Sequence, residues 1–99
     1  MKYKFHPDAL EEYREAAIWY ANREQEIGLQ FIANIEDAIH RVVETPTRWR
    51  IIDEDVRRCL VHLFPYAILY TIEENFILIV AVMHLSREPN YWRERIRKP

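Results

Sequence analysis

The sequence predicts an α+β domain in the order β–α–α–β–β–β–α, and three observations carry that prediction. Apolar residues recur at helical spacing through the first half, up to Pro46. Beyond Pro46 the pattern becomes that of strands and culminates in the wholly apolar run Phe76 to Met83. No internal repeat, low-complexity segment or linker divides the chain, so its 99 residues are read as one domain, 1–99.

Lys2 to Phe5 alternates basic with aromatic side chains, as a strand with one buried face does. Pro7 stops that strand and presets φ for a helix start. Asp8 and Glu11 have capping-box spacing. Ala9, Leu10, Tyr13, Ala16, Ala17 and Tyr20 then mark the apolar face of a helix from Asp8 to Asn22, with Glu11, Glu12, Arg14 and Glu15 opposite. A second helix starts near Glu26, where Ile27, Phe31, Ile32, Ile35, Ala38, Ile39, Val42 and Val43 share a face. It ends by Pro46, which disfavours helical geometry in the residue before it. Gly28, the only glycine, falls in its first turn, where a small residue lets two backbones approach. The two helices form an antiparallel hairpin over one face of an antiparallel-rich sheet.

Arg57 to Phe64 and Tyr66 to Ile72 read as strands. Glu73-Glu74-Asn75 supplies a tight turn, with Asn75 suited to positive φ. Phe76 to His84 is apolar enough to be buried on both faces and therefore central. Pro89 opens a short C-terminal helix, pinned by Trp92 and Ile96, four residues apart.

Composition narrows the function. Apolar residues make up 49% of the chain, enough for a packed core, and 30% charged residues point to a solvated surface. The eight-residue run from Phe76 is far short of the roughly 20 residues a membrane helix needs. The N-terminus lacks the apolar stretch of a signal peptide, so the chain is expected in the cytoplasm. Cys59 stands alone, which rules out an internal disulfide and favours a small buried apolar residue. Four scattered histidines show no metal-ligand spacing, and a single glycine excludes phosphate-cradling loops. Neither metal nor cofactor is expected. Net charge is −2, but residues 1–46 hold five Lys/Arg against nine Asp/Glu, whereas residues 87–99 hold five against two. A polyanion site would have to be local and near the C-terminus. A basic groove for an acidic protein segment fits the same distribution.

Three stretches in this order resemble the RelE/ParE superfamily of toxins from type II toxin–antitoxin (plasmid stabilization) systems. They are Ala16-Ala17-Ile18-Trp19-Tyr20; Val56-Arg57-Arg58 with Phe64-Pro65-Tyr66-Ala67-Ile68-Leu69-Tyr70; and His84-Leu85-Ser86-Arg87-Glu88-Pro89-Asn90-Tyr91-Trp92-Arg93. The resemblance spans His6 to Arg95 and implies a toxin that inhibits growth when free and is neutralised by a cognate antitoxin. One branch cleaves messenger RNA on the ribosome without a metal; another poisons DNA gyrase. Fold does not choose between them.

The resemblance also implies site residues. Arg87, past the central strand, matches an arginine that grips the scissile phosphate in the nucleases. A planar guanidinium suits that task, and pairing with an acidic side chain or with antitoxin is the alternative. Arg57 and Arg58 point to opposite faces of a strand and serve either a site or the charge-blunting of an edge. Tyr91 matches a tyrosine that stacks on a base or assists proton transfer; Trp92 is more simply core. His84 suits acid–base chemistry or a structural hydrogen bond. His62 shares strand parity with Arg58, which would put Arg58, His62 and His84 in one basic row. His6 and His40 carry surface or cap roles. A nuclease would use Arg87, Arg58, His84 and Tyr91, while Arg57, Arg93, Arg95 and Arg97 would meet a protein partner, with the sheet edge open to an added strand. One departure counts against cleavage. Where the ribosome-dependent nucleases have Tyr-Arg-apolar-apolar-Tyr, this chain has Ala67 in the arginine's place, and a pI near 6.1 attracts ribosomal RNA weakly. The sequence therefore favours the gyrase-directed branch over the nuclease or a non-toxic antitoxin-binding module.

Overall fold

The structure, a computed structural model, describes residues 1–96. The elements are β1 (Lys2–Phe5), α1 (Pro7–Arg23), α2 (Gln25–Glu44), β2 (Ile51–Asp53), β3 (Val56–Leu60), β4 (Tyr66–Ile72), β5 (Phe76–His84) and a 3-10 turn (Arg93–Ile96). The α+β class and the helical hairpin are as expected, with one strand more. The added strand, β2, has three residues, too few for periodicity to register. It joins β3 through a turn in which Glu54 takes φ 51°.

Local chemistry explains the shifted boundaries. The side chain that caps α1 is His6, not Asp8: its Nδ1 accepts from the Asp8 amide at 3.0 Å. Pro7 then occupies the first helical position, where its missing N–H costs nothing. One extended residue, Glu24 (φ −160°), ends α1 and begins α2. β3 stops at Leu60 rather than Phe64, and Leu63 takes φ 68°, outside strand geometry. Positive φ is absent at Asn75 and present at Asn90 (φ 66°), so the last short helix starts at Arg93 instead of Pro89.

The strands run in the order β1-β5-β4-β3-β2, with β1 parallel to β5 and every other pair antiparallel. β5 lies inside the sheet between β1 and β4, which accounts for its apolar run. Under the helices, Phe31, Ile35, Ile39 and Val42 of α2 meet Cys59, Ile68, Tyr70, Ile77 and Ile79. Across the sheet, Val56, Ala67, Leu69, Val80 and Ala81 are covered by Trp92, only 2% exposed, with Ile96 beside it. Trp92 and Ile96 thus pin the C-terminal segment as their spacing suggests. A bulge at Val80 shifts the register between Leu69↔Ala81 and Tyr70↔Ile79. It also reverses the phase of β5, so that Val82 joins Ile77 and Ile79 on the helix side.

Gly28 does what its position suggests. A Cβ there would lie 2.7 Å from the Cβ of Ala21 and 2.8 Å from its Cα, so α1 and α2 touch backbone to backbone. In Gly28→Ala, improved helix propensity gains about 1 kcal/mol. Separating the helices costs about 1–3 kcal/mol. Urea unfolding should therefore show a net loss of up to roughly 2 kcal/mol. A variant more stable than wild type would mean the hairpin opens without cost.

Candidate functional site

β1 covers the edge of β5 only as far as Phe5↔Ile79. Past that point side chains take over the role of a neighbouring strand. Glu12 Oε1 accepts from the Val82 amide at 3.0 Å, and Arg95 Nη1 donates to the Val80 carbonyl at 3.0 Å. The two side chains also clasp each other, Arg95 donating to both Glu12 oxygens at 2.9 Å, while Tyr91 Oη donates to Glu12 Oε2 at 2.6 Å. Their side chains are 17% and 12% exposed, so this is a largely desolvated bidentate pair. Burial works against the Arg95 charge, but Glu12 outweighs it and keeps the guanidinium protonated beyond its ordinary range. Burial first, and then the bond to Glu12, push the Tyr91 phenol far above its usual value.

Glu12 was expected on the solvent face of α1, and the structure places it against β5. Its spacing explains why: it follows Ala9 by three residues and precedes Ala16 by four, and both alanines are buried. Beside this clasp lies a cleft of about 360 Å³ between α1 and the end of the β4–β5 hairpin. Trp19 and Tyr20 wall it, Tyr66 and Val82 line its base, and His84, Arg87 and Tyr91 stand at its other side. Three of the four candidate catalytic residues are therefore brought together. The Arg87 guanidinium lies 3.8 Å from the Tyr91 ring centroid and 3.5 Å from Glu88. His84 Nδ1 accepts from the Ser86 amide at 3.0 Å, with Ser86 Oγ at 2.8 Å. A backbone N–H can only donate, so neutral His84 carries its proton on Nε2.

Arg58 is not in the cleft. It sits on β3, separated from β5 by β4, in a shallow depression that His62 also lines. The expected row of Arg58, His62 and His84 is therefore divided. His62 lies beyond the end of β3, and His84 ends β5 on the cleft side.

The residues expected to meet a partner have internal contacts. Arg57 Nη1 donates to the carbonyls of Thr47 (3.2 Å) and Trp49 (2.6 Å), tying down the segment that leads into β2. Arg93, about half exposed, pairs with Asp53, its Nε 2.8 Å from Oδ2. Arg95 is committed to Glu12. Arg97 lies outside the described residues. Cys59 is buried, and burial pushes its thiol up. Among the described residues no three His, Cys, Asp or Glu side chains are grouped to hold a metal ion, and no helix is long and apolar enough to cross a membrane.

A family model described as the ParE toxin of type II toxin-antitoxin system, parDE, matches residues 3–89. The chain belongs to the ParE toxin family. Among solved structures, a chain titled as the chromosomal ParDE TA system from P. aeruginosa shares this fold at a TM-score of 0.76. It is 13% identical, and the match covers 87% of the present chain and 97% of that one. No curated protein matches. The ParE match ends before Tyr91 and Arg95, so the clasp on Glu12 is formed partly by residues outside the matched stretch. In this ParE chain, sequence reasoning missed Glu12 and Glu15 as cleft residues and gave Trp19 and Tyr66, both in resembling stretches, no role in a site. Trp19 carries its own signal, being an aromatic on a helix face that leaves it half exposed.

Proposed function

We propose that this protein is the toxin half of a type II pair, a cytoplasmic growth inhibitor directed at DNA gyrase and neutralised by a cognate antitoxin. Ala67 supports this reading over RNA cleavage. It is wholly buried beneath Trp92, among Leu69, Val80 and Ala81, where no guanidinium could reach a phosphate. The cleft points the same way. Tyr91 spends its proton on Glu12, and the Nδ1 of His84 is occupied. A further carboxylate, Glu15, lines the space a scissile phosphate would need. Arg87 and the exposed Trp19 instead suit a protein surface, since arginine and tryptophan are the residue types that anchor interfaces.

The test is tightly controlled induction of wild type and Arg87→Ala, with messenger 5′ ends mapped and gyrase–DNA cleavage complexes trapped. The expected result is growth arrest with intact messengers and accumulated cleavage complexes, relieved when the antitoxin is co-expressed. Loss of one interface arginine should weaken arrest by about 2 kcal/mol of target affinity, roughly thirtyfold. New messenger cuts in wild type alone would make the protein a nuclease. No arrest by folded protein would leave a non-toxic binding module.

A further inference from the structure

The depression that holds Arg58 lies away from the cleft, at the start of β2 and the end of β3, and encloses about 540 Å³. Arg48, Arg50 and Arg58 converge on it from three chain positions. Each is exposed, and none forms an ion pair with a carboxylate among the described residues. A fourth arginine, Arg41, shares the site and pairs with Asp37 at 3.0 Å. His62 stands 3.9 Å from the same carboxylate. A chain of net charge −2 thus concentrates three uncompensated guanidiniums in one place, while Arg57, Arg93 and Arg95 are each consumed by carbonyls or carboxylates. Mutual repulsion disfavours such a cluster unless an anion neutralises it.

We propose that this cluster binds the phosphodiester backbone of duplex DNA. The site is made of guanidiniums, whose forked donors match phosphate oxygens. It lacks what the competing ligands need. A peptide anchors through apolar side chains in a pocket, but the exposed apolar group here is Leu60 at the rim. Single-stranded nucleic acid needs an open aromatic platform. Trp49 offers none, because Arg48 stands 5.3 Å and Arg41 6.0 Å from its ring centroid. A duplex presents phosphates on its outside at fixed spacing and asks only for placed cations. The proposal is independent of whether gyrase is the target, since it concerns DNA contacted by the toxin itself.

The experiment is fluorescence anisotropy of a short labelled DNA duplex with the purified full chain. It compares wild type, the triple variant Arg48→Gln/Arg50→Gln/Arg58→Gln and, as a control, Arg14→Gln, an exposed arginine of α1. Circular dichroism confirms that all three are folded. Wild type should bind weakly and without sequence preference, with log K falling against log salt at a slope of about −2.7 for three phosphates. The triple variant should lose at least about tenfold in affinity at low salt and most of that slope, and Arg14→Gln should stay close to wild type. Equal binding by the triple variant would overturn the proposal. So would tighter binding of a single strand than of the duplex, or retention of polyglutamate with no binding of DNA.

Discussion

Glu12→Ala should destabilise the protein by about 3–5 kcal/mol, the usual cost of removing one partner of a buried ion pair. The change leaves the largely desolvated Arg95 guanidinium with only the exposed Asp8 carboxylate, 3.8 Å away, and the Val82 amide and Tyr91 hydroxyl without an acceptor. Those orphaned groups, more than the lost attraction, set the size of the effect. Equilibrium urea unfolding measures it directly. A companion variant separates the causes. Replacing both partners, Glu12→Leu with Arg95→Met, should recover a large part of the loss, because apolar pairs of similar volume are often as stable as the ion pair they replace. A loss under about 1 kcal/mol in Glu12→Ala would show that water enters and solvates Arg95, and the clasp would then be ornamental.

Phe31→Ala is expected to cost about 3–5 kcal/mol, the range for truncating a buried aromatic. Phe31 is wholly buried, and its ring lies 4.9 Å from Tyr20, 5.2 Å from Phe64 and 5.1 Å from Tyr66. It is the point at which α2, α1 and the β3–β4 connection meet. Two of those neighbours, Tyr20 and Tyr66, also line the cleft, so a cavity behind them should loosen the candidate binding surface too. Phe31→Leu keeps most of the volume and should lose less than half as much. Near-equal losses in the two variants would mean that ring geometry, not filled space, holds this junction.

The elements legible from sequence are those with long, regular patterns. α2 buries Phe31, Ile35, Ala38, Ile39 and Val42 on the face its spacing marks, and β4 and β5 fall where their apolar runs do. β2 escaped because three residues hold no period, and β3 was read too long because Val61 and Phe64 are apolar for the core's sake after strand geometry has ended. The site was half legible. Arg87, His84 and Tyr91 share the cleft because all three lie within eight residues from the end of β5. Arg58 was grouped with them through strand parity, which says which way a side chain points along one strand and nothing about the distance between strands. Glu12 was hidden by its charge. A carboxylate on a helix reads as solvated until its partner is known, and Arg95 is 83 residues away.

β1 adds a consequence in the time domain. It is made before the other described elements, yet its partner is β5, and the carboxylate that completes the open edge of β5 answers to Val82 and Arg95. Contacts this distant in the chain close late and slowly, since loop-closure entropy must be met before they reward it. A nascent chain leaving the ribosome can form the helical hairpin early but has no cleft wall opposite it until Arg95 has emerged. Copies terminated before Arg95 should therefore be harmless to the cell that makes them, and the wait for that residue becomes a built-in delay before the protein can act.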